Sequence, residues 1–116
     1  MRHRKSNAKL GLPTDQRLAL IKNGAKALFL NKQIKTTHRR AEEISRYVEK
    51  IITKAKKNDF NARRSVYRYL PDRAIVSLIF KDIIGNYQNT NGGYTRIVKL
   101  GIRRGDSASV SVLELV

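Results

Sequence analysis

Ala41, Ile44, Val48, Ile51, Ile52 and Ala55 step by 3, 4, 3, 1 and 3 residues. That spacing lines six apolar side chains along one stripe of an α-helix and constrains the fold more than any other feature of the chain. Thr36 or Thr37 supplies an N-cap, and the helix is expected to run to about Lys57. Glu42 and Glu43 fall in its first turns and Lys54, Lys56 and Lys57 in its last, which suits the helix dipole. Glu42 and Arg46 are spaced as an i,i+4 ion pair.

On the N-terminal side, residues 1–12 show no apolar period, carry four basic groups and no acid, and read as an extended arm. Pro13 and Thr14 then start a helix in which Leu18, Ile21, Ala25, Leu28 and Phe29 recur at helical spacing to about Asn31. The pair Asn23-Gly24 favours a turn and costs about 1 kcal/mol inside a helix, but the apolar period runs through it. Residues 33–36, with Ile34 between polar groups, fit a brief strand.

Beyond the long helix, Asn58-Asp59 breaks and recaps the chain for a short helix over 60–70, which Pro71 stops. Asp72 caps a fourth helix whose buried stripe is Ile75, Val76, Ile79 and Ile83, with Gly85 as its terminator. Residues 86–93 read as turn. Residues 94–103 and 108–116 form an antiparallel strand pair across Arg104-Gly105-Asp106, with Val110, Val112 and Val116 alternating. Ile97, Ile102, Val110 and Val112 are expected to seal the sheet against the helices while Arg96, Arg103 and Arg104 face outward. Strand alternation does not allow this cleanly, so a bulge near Gly101 is favoured. The fold class is therefore α+β, a two-layer α/β domain over 13–116 in the order helix, strand, three helices, two strands, with the basic arm over 1–12.

Charge narrows the partner. The 116 residues hold 25 basic and 9 acidic side chains, a net charge of +16, and only Asp15 opposes eleven Lys and Arg among the first forty residues. Such a surface is most at ease beside a polyanion, and at 41% hydrophobic the chain still folds, so charge is added to a domain of the size that buries about two-thirds of its unfolded surface. Without Cys there is no disulfide framework, thiolate metal site or Cys nucleophile, which fits a reducing compartment. The longest apolar stretch, residues 74–80, includes Ser77 and is far below the roughly 20 residues that span a bilayer. A secretory signal is not expected either, because no apolar stretch of suitable length follows the basic start.

Catalysis finds little support. His3 and His38 have no carboxylate nearby in sequence to orient them, the acids are accounted for as caps and ion-pair partners, and no phosphate-binding glycine loop occurs. No cofactor, metal or small-molecule substrate is expected. Arg63, Arg64 and Arg68 sit on one short helix, where Arg64 and Arg68 repel unless phosphates lie nearby. Arg96, Lys99, Arg103 and Arg104 line the hairpin, and Arg17 and Lys22 the first helix. Tyr94 either stacks on a base or packs on the sheet. The Arg104-Gly105-Asp106 tripeptide, also a cell-adhesion signal, is read as turn chemistry.

Three stretches together resemble one family, the bacterial large-subunit ribosomal protein that is seventeenth in the L series. They are Met-Arg-His-Arg-Lys with Lys9-Leu10-Gly11; Ile34-Lys35-Thr36-Thr37 leading to Arg40-Ala41-Glu42; and Asn-Gly-Gly-Tyr-Thr-Arg-Ile through Arg-Arg-Gly-Asp, ending in Leu-Glu-Leu-Val. The chain departs from the family pattern at Ala8, Leu12, Pro13-Thr14-Asp15 and Gly24. The resemblance implies the same element order and a structural role in the cytoplasmic large ribosomal subunit. It places the protein on large-subunit ribosomal RNA near the outer end of the peptide exit tunnel, beside other ribosomal proteins and in single copy. By carry-over Arg2, His3, Arg4, Lys5, Lys9, Arg39, Arg40 and the hairpin arginines would touch RNA. An architectural DNA-binding protein is the alternative that charge alone permits; it calls for a dimer interface or a recognition helix.

Overall fold

The computed structural model describes residues 10–116. Most of the expected arm, with Arg2, His3, Arg4, Lys5 and Lys9, lies outside them. Residues 10–12 form a turn and not an extended segment, because Leu10 and Gly11 both take positive φ, 55° and 67°. From that turn the chain enters α1 (Thr14–Asn31), whose first bond runs from Arg17 N–H to the Pro13 carbonyl, with no side-chain cap. The left-handed Lys32 ends the helix by donating to the Leu28 carbonyl. A tight turn there feeds β1 (Gln33–Thr37), and Thr37 leads directly into α2 (His38–Ala55).

All six residues of the α2 stripe are buried. Removing Ile44, Val48, Ile51 and Ile52 from water contributes about 1.5–3 kcal/mol each before entropy is counted. In α1 the same happens to Ile21, Ala25, Leu28 and Phe29, but Leu18 stays exposed, one turn too early to reach α2. Gly24 explains why a turn-favouring pair sits inside this helix. A Cβ at that position would lie 2.3 Å from Ile44 Cδ1 and 2.8 Å from its Cγ1, so the missing side chain is the space that Ile44 fills. The helix accepts a propensity cost at Gly24 in exchange for close approach of α1 to α2.

Asp59 caps α3 (Phe60–Tyr69) by accepting from Ala62 N–H, and Leu70 ends it ahead of Pro71. Asp72 caps α4 (Arg73–Leu78), accepting from Ala74 and Ile75 N–H. Here the expected end at Gly85 fails. The chain continues through a π-helical segment, Ile79–Ile83, and a 3-10 turn, Ile84–Tyr87, with Gly85 inside the latter. Ile79, Phe80 and Ile83 of the first segment and Ile84 and Tyr87 of the second are all buried, so the apolar face continues past the expected end.

The hairpin expected after residue 93 is present as β2 (Thr95–Ile102) and β3 (Ser109–Leu115), and β1 pairs with the other edge of β3, giving a three-stranded antiparallel sheet in the order β1-β3-β2. The favoured bulge is also present: Lys99 pairs with Ser111 and Gly101 with Val110, leaving Leu100 as the extra residue beside Gly101 at φ 141°. The sealing residues need correction. Leu113 and Leu115 face the helices, joined by Ile97 and Ile34, and alternation then puts Val110 and Val112 on the other face. Ile102 lies past the helical layer and is 75% exposed. Among the four residues expected to seal the sheet, only Ile97 packs on the core.

The α1–α2 contact yields a prediction. Gly24→Ala should lower stability by up to about 2 kcal/mol, overpacking of about 1–3 kcal/mol being offset by a helix-propensity gain of about 1 kcal/mol. In an Ile44→Ala background the same change should become neutral or stabilising, as read by urea denaturation of the four proteins in the double-mutant cycle.

Candidate nucleic-acid interface

The exposed cations gather in two places. One is the outer side of α3. Its inner stripe buries Ala62 and Val66, while Phe60, Arg63, Arg64, Tyr67 and Arg68 recur at i, i+3, i+4, i+7 and i+8 on the solvent side. With Arg73 of α4 they line an open groove of about 640 Å³. The Arg64 guanidinium lies 5.8 Å from the Phe60 ring centre, and that of Arg63 lies 4.8 Å from the Phe80 ring centre. Among the described residues no carboxylate comes within ion-pair distance of these four arginines. The charge reading found Arg63, Arg64 and Arg68 but missed the rings between them. Phe60 and Tyr67 are 73% and 43% exposed, and their i,i+7 spacing opposite the buried stripe was the available signal.

The second gathering follows from sheet topology. Thr37 pairs with Val110, and Val110 with Gly101, so the start of α2 and the hairpin tip share one end of the sheet. Arg39, Arg40, Arg103 and Arg104 are exposed there, and Lys35 and Arg103 line a smaller groove with Leu100, Ile102 and Val110. Lys99 is exposed on β2. Several of these cations already hold carboxylates: Arg96 binds Glu114 at 2.5 Å, Arg103 binds Asp106 at 2.5 Å, and Arg39 lies 3.6 Å from Glu42. Arg17 and Lys22 are half-buried on α1.

Tyr94 takes the packing alternative. It is 3% exposed, meets Tyr87 edge to face at 5.3 Å between ring centres, and receives the Lys56 ammonium on its hydroxyl at 3.3 Å. A base has no access to that ring. Tyr47 is similarly committed to the fold. Its hydroxyl donates to the Tyr69 carbonyl, and burial, aided by Tyr69, pushes its pKa up to about 12.

His38 also differs from expectation, since Glu42, one turn along α2, lies 2.9 Å from its Nε2, while Nδ1 is 2.9 Å from Ser111 Oγ. In the neutral ring, Nε2–H donates to Glu42 and Nδ1 accepts the Ser111 hydroxyl. The order Ser, His, Glu is that of a hydrolase triad, but Ser111 is fully buried in the central strand and no substrate carbonyl can reach it. The contacts fasten the start of α2 to β3. Further along α2, Glu49 fastens β2 instead, accepting from Thr95 N–H at 3.0 Å and Thr95 Oγ1 at 2.9 Å. Among the described residues no three His, Cys, Asp or Glu side chains gather to hold a metal ion.

The family model for ribosomal protein L17 matches residues 20–116. A protein of Dictyoglomus thermophilum named large ribosomal subunit protein bL17 is 51% identical over 116 residues, covering both chains completely. Proteins of the same name from Fusobacterium nucleatum and Caldanaerobacter subterraneus are 43% identical over 116 residues and 46% over 111, covering 100% and 99% of those relatives and 100% and 96% of this chain.

The hairpin tip makes a prediction about pH. The hydrogen bond from Arg103, with a further one from Ala108 N–H, lowers the Asp106 pKa to about 2 and raises that of Arg103. A depressed carboxyl pKa means the contact is complete above the ordinary 3.8 and lost as pH falls through about 2. Carbon-13 NMR titration of the Asp106 carboxyl should therefore show a midpoint near 2. In Arg103→Gln the midpoint should move upward toward 3.8.

Proposed function

The chain belongs to the ribosomal protein L17 family, and from that premise we propose that it binds and stabilises large-subunit ribosomal RNA near the peptide exit tunnel. With its relatives it is a structural component of the large ribosomal subunit and not an enzyme. Its place of action is the cytoplasmic ribosome. The single observation that carries the RNA reading is the groove of α3 and α4, where four arginines without carboxylate partners surround exposed rings. The tunnel-side location and single copy rest on family likeness alone.

In this reading the domain over 13–116 is a scaffold and the arm over 1–12 is its extension into RNA. Arg2, His3, Arg4, Lys5 and Lys9 of the arm would meet RNA, as would Arg39, Arg40, Lys99 and Arg104 at the basic sheet end and Arg63, Arg64 and Arg68 in the groove. Arg96 and Arg103 would do so while keeping their carboxylates, and Arg17 and Lys22 from the flank of α1. Neutralised phosphates release counterions and let crowded RNA helices approach. Recognition is of backbone and shape, and other large-subunit proteins are the neighbouring partners.

Two measurements test this. The tagged full chain should co-sediment with large ribosomal subunits in a lysate gradient; sedimentation with chromosomal DNA, or with neither, overturns the reading. Deleting residues 2–9 removes Arg2, Arg4, Lys5 and Lys9. If all four contact phosphates, the slope of log affinity against log salt for ribosomal RNA should flatten by about 3. An unchanged slope would assign the arm a role other than charge neutralisation.

A further inference from the structure

We propose that the groove between α3 and α4 captures an unpaired RNA base, stacked on Phe60 and Tyr67, while Arg64, Arg68 and Arg73 hold the adjoining phosphates. This rests on the RNA-binding reading and adds what it does not contain, a preference for single-stranded nucleotides at one named place.

Chemistry distinguishes this groove from the rest of the basic surface. A surface that tracks phosphates needs charge alone, and two aromatic rings exposed to water at 73% and 43% work against solubility unless something covers them. Bases inside an A-form duplex already stack on one another and cannot offer their faces to a protein ring, whereas bases in loops and bulges can. The cations fit the same occupant. The chain has 12 Lys and 13 Arg, yet all four cations in the groove are Arg, whose planar guanidinium stacks on rings and bases as a Lys ammonium does not. Arg64 over Phe60 and Arg63 over Phe80 already show such pairing. The lining holds no carboxylate, which argues against a basic peptide as occupant.

The walls of the groove are also anchored. Asp59 and Asp72 cap the two helices that form its walls, and Ala62, Val66, Ile75 and Val76 anchor them in the core. Phe60 and Tyr67 are therefore presented, not folded away, and replacing them leaves the core intact.

The test uses the full chain with a single-stranded RNA nonamer bearing a central 2-aminopurine, and the same strand in a perfect duplex. Stacking should quench the fluorophore on the single strand, and binding should be weaker to the duplex. Phe60→Leu with Tyr67→Leu should abolish the quench and weaken single-strand binding about 10-fold or more without changing the salt slope, because no cation is lost. Arg68→Gln should instead flatten the slope by about 1 and keep the quench. Circular dichroism melts of each variant should match the parent; if the double Leu variant unfolds, Tyr67→Phe, which keeps the ring, and Tyr67→Leu alone carry the comparison. Absence of quenching by the parent, equal binding of single strand and duplex, or an unaffected double variant overturns the proposal. So does displacement of the RNA from the groove by an acidic peptide that needs the rings equally. Co-sedimentation of the parent with large subunits, measured alongside, separates failure of this inference from failure of the RNA reading.

Discussion

Everything in this fold is hung on the buried stripe of α2. Gly24 lets α1 approach one side of it, the sheet covers another, and α3 and α4 with their π-helical extension close the rest, so the core cluster runs through every element. The contact at Ile44 sets how near the two long helices can lie. Because interiors are packed as tightly as crystals, a change of one methyl group there is transmitted to the sheet fastened along the same helix by His38 and Glu49.

Charge is divided between the inside and the outside of this arrangement. Seven carboxylates, those of Glu42, Glu43, Glu49, Asp59, Asp72, Asp106 and Glu114, cap helices, bind strand ends or pair with neighbouring cations. With most of its nine acids engaged in this way, the chain has few left to balance 25 basic groups. The positive surface results as much from where the acids are used as from how many cations there are. At +16 this self-repulsion is relieved most fully next to a polyanion.

Local rules made much of this legible. Helical spacing gave the α2 stripe, Asp59 and Asp72 announced their caps, and a glycine within a strand marked the bulge at Gly101. What escaped depends on tertiary partners. A glycine inside a helix looks like a defect until Ile44 is seen to occupy its place. The π-helical and 3-10 turns carry the chain through Gly85 to Tyr87 although a glycine there reads as a stop, and Val110 and Val112 alternate correctly but on the face away from the helices. The α3 groove was half legible, since its arginines stood out by charge whereas Phe60 and Tyr67 read as ordinary apolar residues until their exposure was known. The groups of the hairpin were placed by type and not by commitment: Tyr94 turned inward and Arg96 and Arg103 were already paired.

The strand order carries a consequence for how the molecule comes into being. β3, last of the strands along the chain, is the middle one in space, and the His38–Ser111 contact that fastens it spans 73 residues. At roughly 5–20 residues per second on the ribosome, β1 waits on the order of 4–15 s as an unpaired edge after it is made. The helices can pack in that interval, but the sheet closes only once β3 has been made. For those seconds a strongly basic, half-built domain is present with an open strand edge, and early association with RNA or a chaperone would shield it from self-association.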